Sequence, residues 1–102
     1  MGQFMKVASL ADVPPGGAKL IEVQGKEIAL FNANGTLYAL DNICTHAGGP
    51  LVEGTVEGQE VECPLHGARF NLKSGVSESL IAPDGVQAYP VRVSGTDIEL
   101  EL

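Results

Sequence analysis

Short segments in which apolar and polar residues alternate run along the whole chain, separated by Gly, Pro and Asn. This period of two is typical of half-buried β-strands. The C-terminal stretch is a clear example, because Val91, Val93, Ile98, Leu100 and Leu102 alternate with polar neighbours. The sequence has no long segment with the period of a helix and no internal repeat. The pattern therefore predicts an all-β, antiparallel protein.

Turn residues divide this pattern into hairpins. Asn34-Gly35 between two apolar-rich runs is a strong hairpin signal, and further turns are predicted at Gln24-Gly25-Lys26, Glu57-Gly58-Gln59 and Ser94-Gly95-Thr96. The hairpin around Gly58 should place the segments before and after it side by side. The predicted strands are Phe4 to Ala8, Lys19 to Val23, Glu27 to Phe31, Thr36 to Leu40, Gly54 to Val56, Glu60 to Glu62 and Ala68 to Leu72, with a short turn over Leu10 to Val13.

The length of 102 residues predicts one domain, covering residues 1–102. The longest apolar run of the early hairpins, Ile28-Ala29-Leu30-Phe31, is far shorter than the ~20 residues of a membrane span. The first residues lack the hydrophobic core of a signal peptide. We therefore expect a cytoplasmic protein with no membrane partner, in a compartment that keeps thiols reduced.

The net charge of −7 changes the list of expected partners. An acidic surface disfavours nucleic acid and anionic membranes. The charge aids solubility in any case, and it also suits steering toward basic patches on a protein partner.

The candidate chemistry lies in two clusters, Cys44-Thr45-His46 and Cys63-Pro64-Leu65-His66. They contain both cysteines and both histidines of the chain and are separated by sixteen residues. Two thiols and two imidazoles form a ligand set for one metal centre. No Cys or His is left for a second one, so a mononuclear iron site for oxygen activation is not expected.

Three alternatives remain for these four residues. A disulfide between the cysteines is disfavoured in a reducing compartment. Zinc suits a tetrahedron of two thiolates and two imidazoles, but structural zinc sites usually take like ligands in pairs from one segment. Here each segment supplies one Cys and one His, which favours a two-iron centre with thiolates on one iron and imidazoles on the other. Zinc stays as the alternative, distinguished by its lack of colour.

The sequence around these clusters resembles the Rieske [2Fe-2S] proteins. The similarity covers nearly the whole chain and is carried by two runs, Cys44-Thr45-His46-Ala47-Gly48-Gly49-Pro50-Leu51 and Cys63-Pro64-Leu65-His66-Gly67-Ala68-Arg69-Phe70-Asn71. The resemblance implies one [2Fe-2S] cluster bound by Cys44, His46, Cys63 and His66. It also implies a sandwich or barrel base with a small cluster-binding subdomain at about residues 42–72, made of two ligand loops.

Supporting residues follow from the same resemblance. Gly48, Gly49 and Gly67 are expected to allow close approach of the backbone to the cluster, and equally to serve as turn glycines. Pro83 would belong to a third loop that covers the cluster. Arg69 is expected to pair with an acid near the cluster, to dock a partner or to stay solvated. Glu53, Glu57, Glu60 and Glu62 are expected to form a solvated acidic face.

Differences from the respiratory type predict a low reduction potential. That type has an additional disulfide and hydroxyl groups that donate hydrogen bonds to the cluster sulfurs. In this chain Leu65, Ala68 and Phe70 stand at the corresponding Cys, Ser and Tyr positions. The missing donors would have stabilised the reduced state, so we expect a potential of about −150 mV.

The resemblance implies a one-electron carrier, not an enzyme. Rieske ferredoxins of this size pass electrons from a flavoprotein reductase, which oxidises NAD(P)H, to a terminal oxygenase that often hydroxylates aromatic rings. The alternative is a Rieske-type small subunit of a larger reductase, such as a nitrite reductase. Many of those subunits have lost ligands, whereas all four are present here.

Overall fold

The computed structural model describes residues 3–43, 50–64, 67–77 and 85–101. This part of the chain contains two single-turn 3₁₀ helices, Leu10–Asp12 and Leu51–Glu53, and ten strands. The strands are β1 (Phe4–Ser9), β2 (Ala18–Val23), β3 (Lys26–Ala33), β4 (Thr36–Asp41), β5 (Thr55–Glu57), β6 (Glu60–Glu62), β7 (Arg69–Asn71), β8 (Ala88–Tyr89), β9 (Val91–Ser94) and β10 (Asp97–Glu101). Among the described residues, no helix is long and apolar enough to cross a membrane.

The strands form three sheets. Their orders are β1-β10-β9, β2-β3-β4-β8 and β5-β6-β7, and every pairing between these strands is antiparallel. The prediction of an all-β antiparallel fold is confirmed. The second sheet is central, because it contributes side chains to both hydrophobic cores of the described residues.

Strand β3 shows why the sequence contains the run from Ile28 to Phe31. Successive side chains of a strand point to opposite faces. Ile28 and Leu30 pack in the core shared with the first sheet, whereas Ala29 and Phe31 pack in the core shared with the third sheet. All four are fully buried. A strand covered on both faces needs apolar residues at every position, so the alternation disappears there.

The tight turns agree closely with the prediction. Asn34 and Gly35 have φ angles of 55° and 94°, as a type I′ hairpin requires. The Asn32 side chain supports this turn, because its Oδ1 accepts a hydrogen bond from the Gly35 N–H at 2.8 Å. The turn predicted over residues 24–26 is shorter than expected, since Lys26 is already in β3 and pairs with Val23.

Candidate metal centre

The structure places one of the four predicted ligands directly. Cys63 follows β6 and is buried, with 1 % of its surface exposed. Cys44, His46 and His66 lie outside the described residues, as do Gly48, Gly49 and Pro83. The described part of the site therefore consists of Cys63, Gly67 and the segments that flank the loops carrying the other predicted residues.

The first ligand loop, residues 44–49, begins and ends on neighbouring backbone. Ile43 and Pro50, which flank it, form an antiparallel bridge. The Leu51 N–H donates a hydrogen bond of 2.6 Å to the Asn42 carbonyl. The two ends of the loop are thus held together at the end of β4.

The Asn42 side chain reinforces this closure. It is 2 % exposed, its Oδ1 accepts a hydrogen bond of 2.8 Å from the Val52 N–H, and its Nδ2 donates to Glu27 Oε1 at 3.3 Å. A buried amide is stable only when it is hydrogen-bonded in this way. Asn42 was not among the residues predicted from the sequence. The available signal was a polar residue directly between the apolar end of a strand and the first Cys-containing cluster.

The second ligand loop, residues 63–68, has its two ends joined in a similar manner. The Cys63 N–H donates a hydrogen bond of 2.7 Å to the Ala68 carbonyl. Gly67 has a φ of +74°, a left-handed conformation that glycine adopts without steric cost. Its predicted role as a turn glycine is therefore supported by the geometry. Ala68 and Phe70 are fully buried in the same core as Cys63.

Strands β5 and β6 bring these two loop bases together. They form the predicted hairpin, in which Thr55 pairs with Glu62. Gly54 lies so close to β6 that an added Cβ would collide with the Glu62 carbonyl oxygen. The chain that returns from the first ligand loop therefore passes directly beside the residue before Cys63.

A third segment, residues 78–84, has its ends fixed by a contact between glycines. The Val86 N–H donates to the Gly75 carbonyl at 2.8 Å. A Cβ on Gly75 would collide with the Val86 carbonyl, and one on Gly85 with the Gly75 carbonyl. Val86 belongs to the same core as Cys63. The predicted third loop, with Pro83, starts and finishes here but lies outside the described residues.

Arg69 has a more specific environment than the sequence analysis expected. Its guanidinium contacts Glu57 at 2.9 Å, Glu60 at 3.2 Å and Glu62 at 3.1 Å. Hydrogen bonds to Glu60 and then Glu57 are the main causes that raise the pKa of Arg69. Three of the four glutamates predicted to be a solvated face are therefore ion-paired, although all three keep part of their surface in water.

A cleft of about 450 Å³ lies beside Ile43, the last described residue before the first ligand loop. Its wall includes Ile43 and Tyr89, and the Tyr89 hydroxyl donates a short hydrogen bond of 2.6 Å to Asp41 Oδ1. Burial, and then this hydrogen bond, raise the pKa of Tyr89 above its usual range. The ammonium of Lys26 lies 5.5 Å from the centre of the Tyr89 ring. These contacts tie the end of β4 to β8 directly before the loop.

The donor set and the loop bases fit a two-iron cluster. Each loop carries one thiol and one imidazole in the sequence, and the described residues hold the bases of both loops on adjacent backbone. Cys63 lies between the apolar core and the second loop. Cys63 is shielded from water there, and solvent exposure is one of the factors that set the reduction potential of an iron–sulfur cluster.

Comparison with known proteins agrees with this geometry. Residues 3–90 match the Rieske [2Fe-2S] domain, a domain that carries one such cluster. The ferredoxin component of a naphthalene 1,2-dioxygenase system from Pseudomonas aeruginosa is 36 % identical over 102 residues, covering 98 % of this chain and 96 % of that protein. The 3-phenylpropionate/cinnamic acid dioxygenase ferredoxin subunit of Shigella boydii is 45 % identical over 94 residues, with coverages of 91 % and 88 %.

Solved structures give the same result. The ferredoxin of carbazole 1,9a-dioxygenase from Nocardioides aromaticivorans superimposes with a TM-score of 0.89 at 34 % identity, covering 96 % of both chains. A chain in a complex of oxygenase and ferredoxin of carbazole 1,9a-dioxygenase gives 0.87 at 28 % identity, with coverages of 96 % and 92 %.

A Mycobacterium tuberculosis protein, described as a candidate small subunit of an NADH-dependent nitrite reductase, gives a TM-score of 0.88. Its identity is 22 %, with coverages of 100 % and 96 %, so this likeness concerns the fold alone. From the match over residues 3–90 and from relatives that align with nearly its whole length, the chain belongs to the Rieske [2Fe-2S] domain family.

Proposed function

We propose that this protein is a one-electron carrier that acts as the ferredoxin component of a ring-hydroxylating oxygenase system. The observation that carries the proposal is the closure of two Cys- and His-bearing loops on adjacent backbone, with Cys63 buried at the base of the second. Relatives that match almost end to end are ferredoxin components of dioxygenase systems.

The ligand set follows the sequence prediction. Cys44 and Cys63 would hold one iron through thiolates, and His46 and His66 would hold the other through imidazoles. When bound, the cluster supplies reversible one-electron chemistry. The chain's part is to fix the loops: Asn42 closes the first, and the Cys63 N–H closes the second through the Ala68 carbonyl. The β5-β6-β7 sheet with both loops would form the cluster-binding subdomain, about residues 42–72, of a single 1–102 domain.

The proposed partners are a flavoprotein reductase and a terminal oxygenase. The relatives are components of dioxygenase systems, and one similar structure is a complex with an oxygenase. The protein itself would catalyse no substrate conversion and would work in the cytoplasm. The alternative of a nitrite reductase small subunit has weaker support, because that likeness concerns the fold alone.

Charge supports docking to basic partners. Residues 41–84 contain seven of the thirteen acidic residues but only Arg69 and Lys73 as cations, so five of the seven net negative charges lie there. This is the part of the sequence that carries all four predicted ligands. Complementary charge raises association rates, and salt reduces the effect. Electron-transfer rates should therefore fall as ionic strength rises.

A metal analysis with visible and EPR spectra of the purified protein tests the ligand proposal. We expect two irons and two sulfides per chain, colour in the oxidised form and an EPR signal after reduction. Cys44→Ser and Cys63→Ser should lose the cluster. A colourless protein with one zinc would overturn the assignment.

A reconstituted system tests the carrier role separately. The cluster should be reduced by NADH only when a ferredoxin reductase of a dioxygenase system is added, and reoxidised by its oxygenase. Purification from the native host tests the alternative. A stable complex with a larger reductase subunit would contradict the free-carrier role while leaving the cluster in place.

A further inference from the structure

Arg69 of β7 forms ion pairs with glutamates on both other strands of the third sheet. Glu57 of β5 stands directly opposite Glu60 of β6, and Glu62 of β6 stands directly opposite Arg69 of β7. Nη2 of Arg69 contacts Glu57 and Glu62, while Nη1 contacts Glu60. One guanidinium thus bridges carboxylates on both other strands of the sheet.

Without that guanidinium, the three carboxylates would repel one another. Like charges directly opposite in a sheet are destabilising. Glu60 and Glu62 also share one face of β6, because the buried Val61 between them points into the core. The planar fork of arginine suits several carboxylates at once, whereas lysine carries a single ammonium group.

One end of this charge network, Glu62 with Arg69, lies at the base of the second ligand loop. Glu62 immediately precedes Cys63, and Arg69 immediately follows Ala68, whose carbonyl accepts the hydrogen bond from Cys63. Glu62 Oε2 also lies 3.6 Å from the point where a Cβ on Gly67 would be. The ion pair and the backbone hydrogen bond therefore close the same loop side by side.

We propose that Arg69 is a positioning residue that retains the cluster, by holding the second ligand loop closed against the repulsion of Glu57, Glu60 and Glu62. The first loop is closed by the largely neutral contacts of Asn42. The rate of cluster loss should therefore depend on salt concentration, and this dependence should arise from the ion pairs at the second loop. This inference rests on the proposed ligand set and not on the identity of the electron-transfer partners.

The experiment measures the rate at which the visible absorption of the oxidised protein bleaches in the presence of an iron chelator. The variants are Arg69→Gln, Arg69→Lys and the double variant Arg69→Gln/Glu60→Gln. The matched control is Arg92→Gln, which makes the same charge change at an arginine that pairs with Glu99 at 2.6 Å on the first sheet.

At low salt, Arg69→Gln should lose its cluster about two- to fivefold faster than wild type, a range in keeping with a partly exposed ion-pair network. Arg92→Gln should match wild type, and Arg69→Lys should be intermediate. Salt should speed the loss in wild type by screening attraction. It should slow the loss in Arg69→Gln by screening repulsion, and Glu60→Gln in the double variant should restore retention.

The opposite signs of the salt effect separate this role from simple loss of packing. The proposal is overturned if Arg69→Gln behaves as Arg92→Gln does, or if salt speeds the loss equally in wild type and Arg69→Gln. If Arg69→Gln cannot be obtained with a cluster at all, a double variant that also lacks the cluster overturns the proposal. Repulsion between the glutamates would then not be the cause of the loss. An iron-free wild type would instead overturn the ligand set.

Discussion

Asn42 Oδ1 accepts a hydrogen bond of 2.8 Å from the Val52 N–H, ten residues further along the chain and on the other side of the first ligand loop. The same residue also joins the loop to the central sheet, because its own N–H donates to the Glu27 carbonyl at 2.9 Å. A single buried amide side chain therefore fixes where the loop starts and where it returns.

Replacing this side chain should destabilise the protein. Asn42→Ala leaves the partly buried Val52 N–H without its acceptor. We expect a loss of about 1 kcal/mol, the lower end of the cost of an unsatisfied buried donor. Chemical unfolding followed by circular dichroism measures the loss. Asn42→Asp is the comparison, since it keeps an acceptor for Val52 but places a second carboxylate beside Glu27. An Asn42→Ala variant as stable as wild type would show that the hydrogen bond has no net effect.

The contact between Gly75 and Gly85 predicts a strong size limit at the base of residues 78–84. Gly75→Ala combines a left-handed φ of +77° with a collision against the Val86 carbonyl. Gly25→Ala is a matched control, because Gly25 has the same φ but open space around its Cβ position. We expect Gly75→Ala to lower the free energy of unfolding by about 1–3 kcal/mol more than Gly25→Ala does. Equal losses would mean that backbone strain alone matters.

The sequence predicted local structure well because local structure depends on neighbouring residues. Asn34-Gly35 alone specifies a turn with two positive φ angles. The Cys and His spacing favours a two-iron ligand set over zinc, and the four ligands stay a prediction. The hairpin of β5 and β6 was predicted for the same reason, since Glu57-Gly58-Gln59 lies between two short polar–apolar segments.

Long-range relations were not predictable in this way. β1 pairs with β10 and β4 with β8, although these strands are far apart in sequence and no local pattern links them. The role of Asn42 depends on Glu27 and Val52 together. The Arg69 network likewise depends on the register of three strands, so from sequence alone its glutamates were expected to be solvated.

Tyr89 should make stability fall at alkaline pH. Its pKa is raised in the folded protein, by burial first and by the hydrogen bond to Asp41 second. The unfolded tyrosine releases its proton near pH 10, so above that pH the unfolded state binds fewer protons and becomes favoured. The contribution of Tyr89 is therefore complete below about pH 10 and is lost as pH rises toward its folded pKa.

Tyr89→Phe tests this relation. At neutral pH the variant should lose about 0.5–1.5 kcal/mol with the hydrogen bond to Asp41, and above about pH 10 its stability should decline less steeply than that of wild type. Tyr38→Phe, the same change at the other tyrosine of the chain, is the control. Parallel pH profiles for Tyr89→Phe and wild type would contradict the assigned cause.

The reduction potential should respond to hydroxyl groups at Ala68 and Phe70. Both residues are fully buried in the core that contains Cys63, and neither side chain can donate a hydrogen bond. We expect a midpoint of about −150 mV for the wild type. Ala68→Ser and Phe70→Tyr should each raise it, by about 60 mV if the new hydrogen bond is about 1.4 kcal/mol stronger in the reduced state.

Protein-film voltammetry measures these midpoints directly. Phe4→Tyr is the matched control for Phe70→Tyr, because it adds the same hydroxyl on β1 of the first sheet, away from the loop bases. Its midpoint should equal that of wild type. A clearly positive wild-type midpoint would contradict the inference that absent donors keep the potential low. Unchanged midpoints in stable, loaded Ala68→Ser and Phe70→Tyr would show instead that the polypeptide tunes the cluster through groups other than these two side chains.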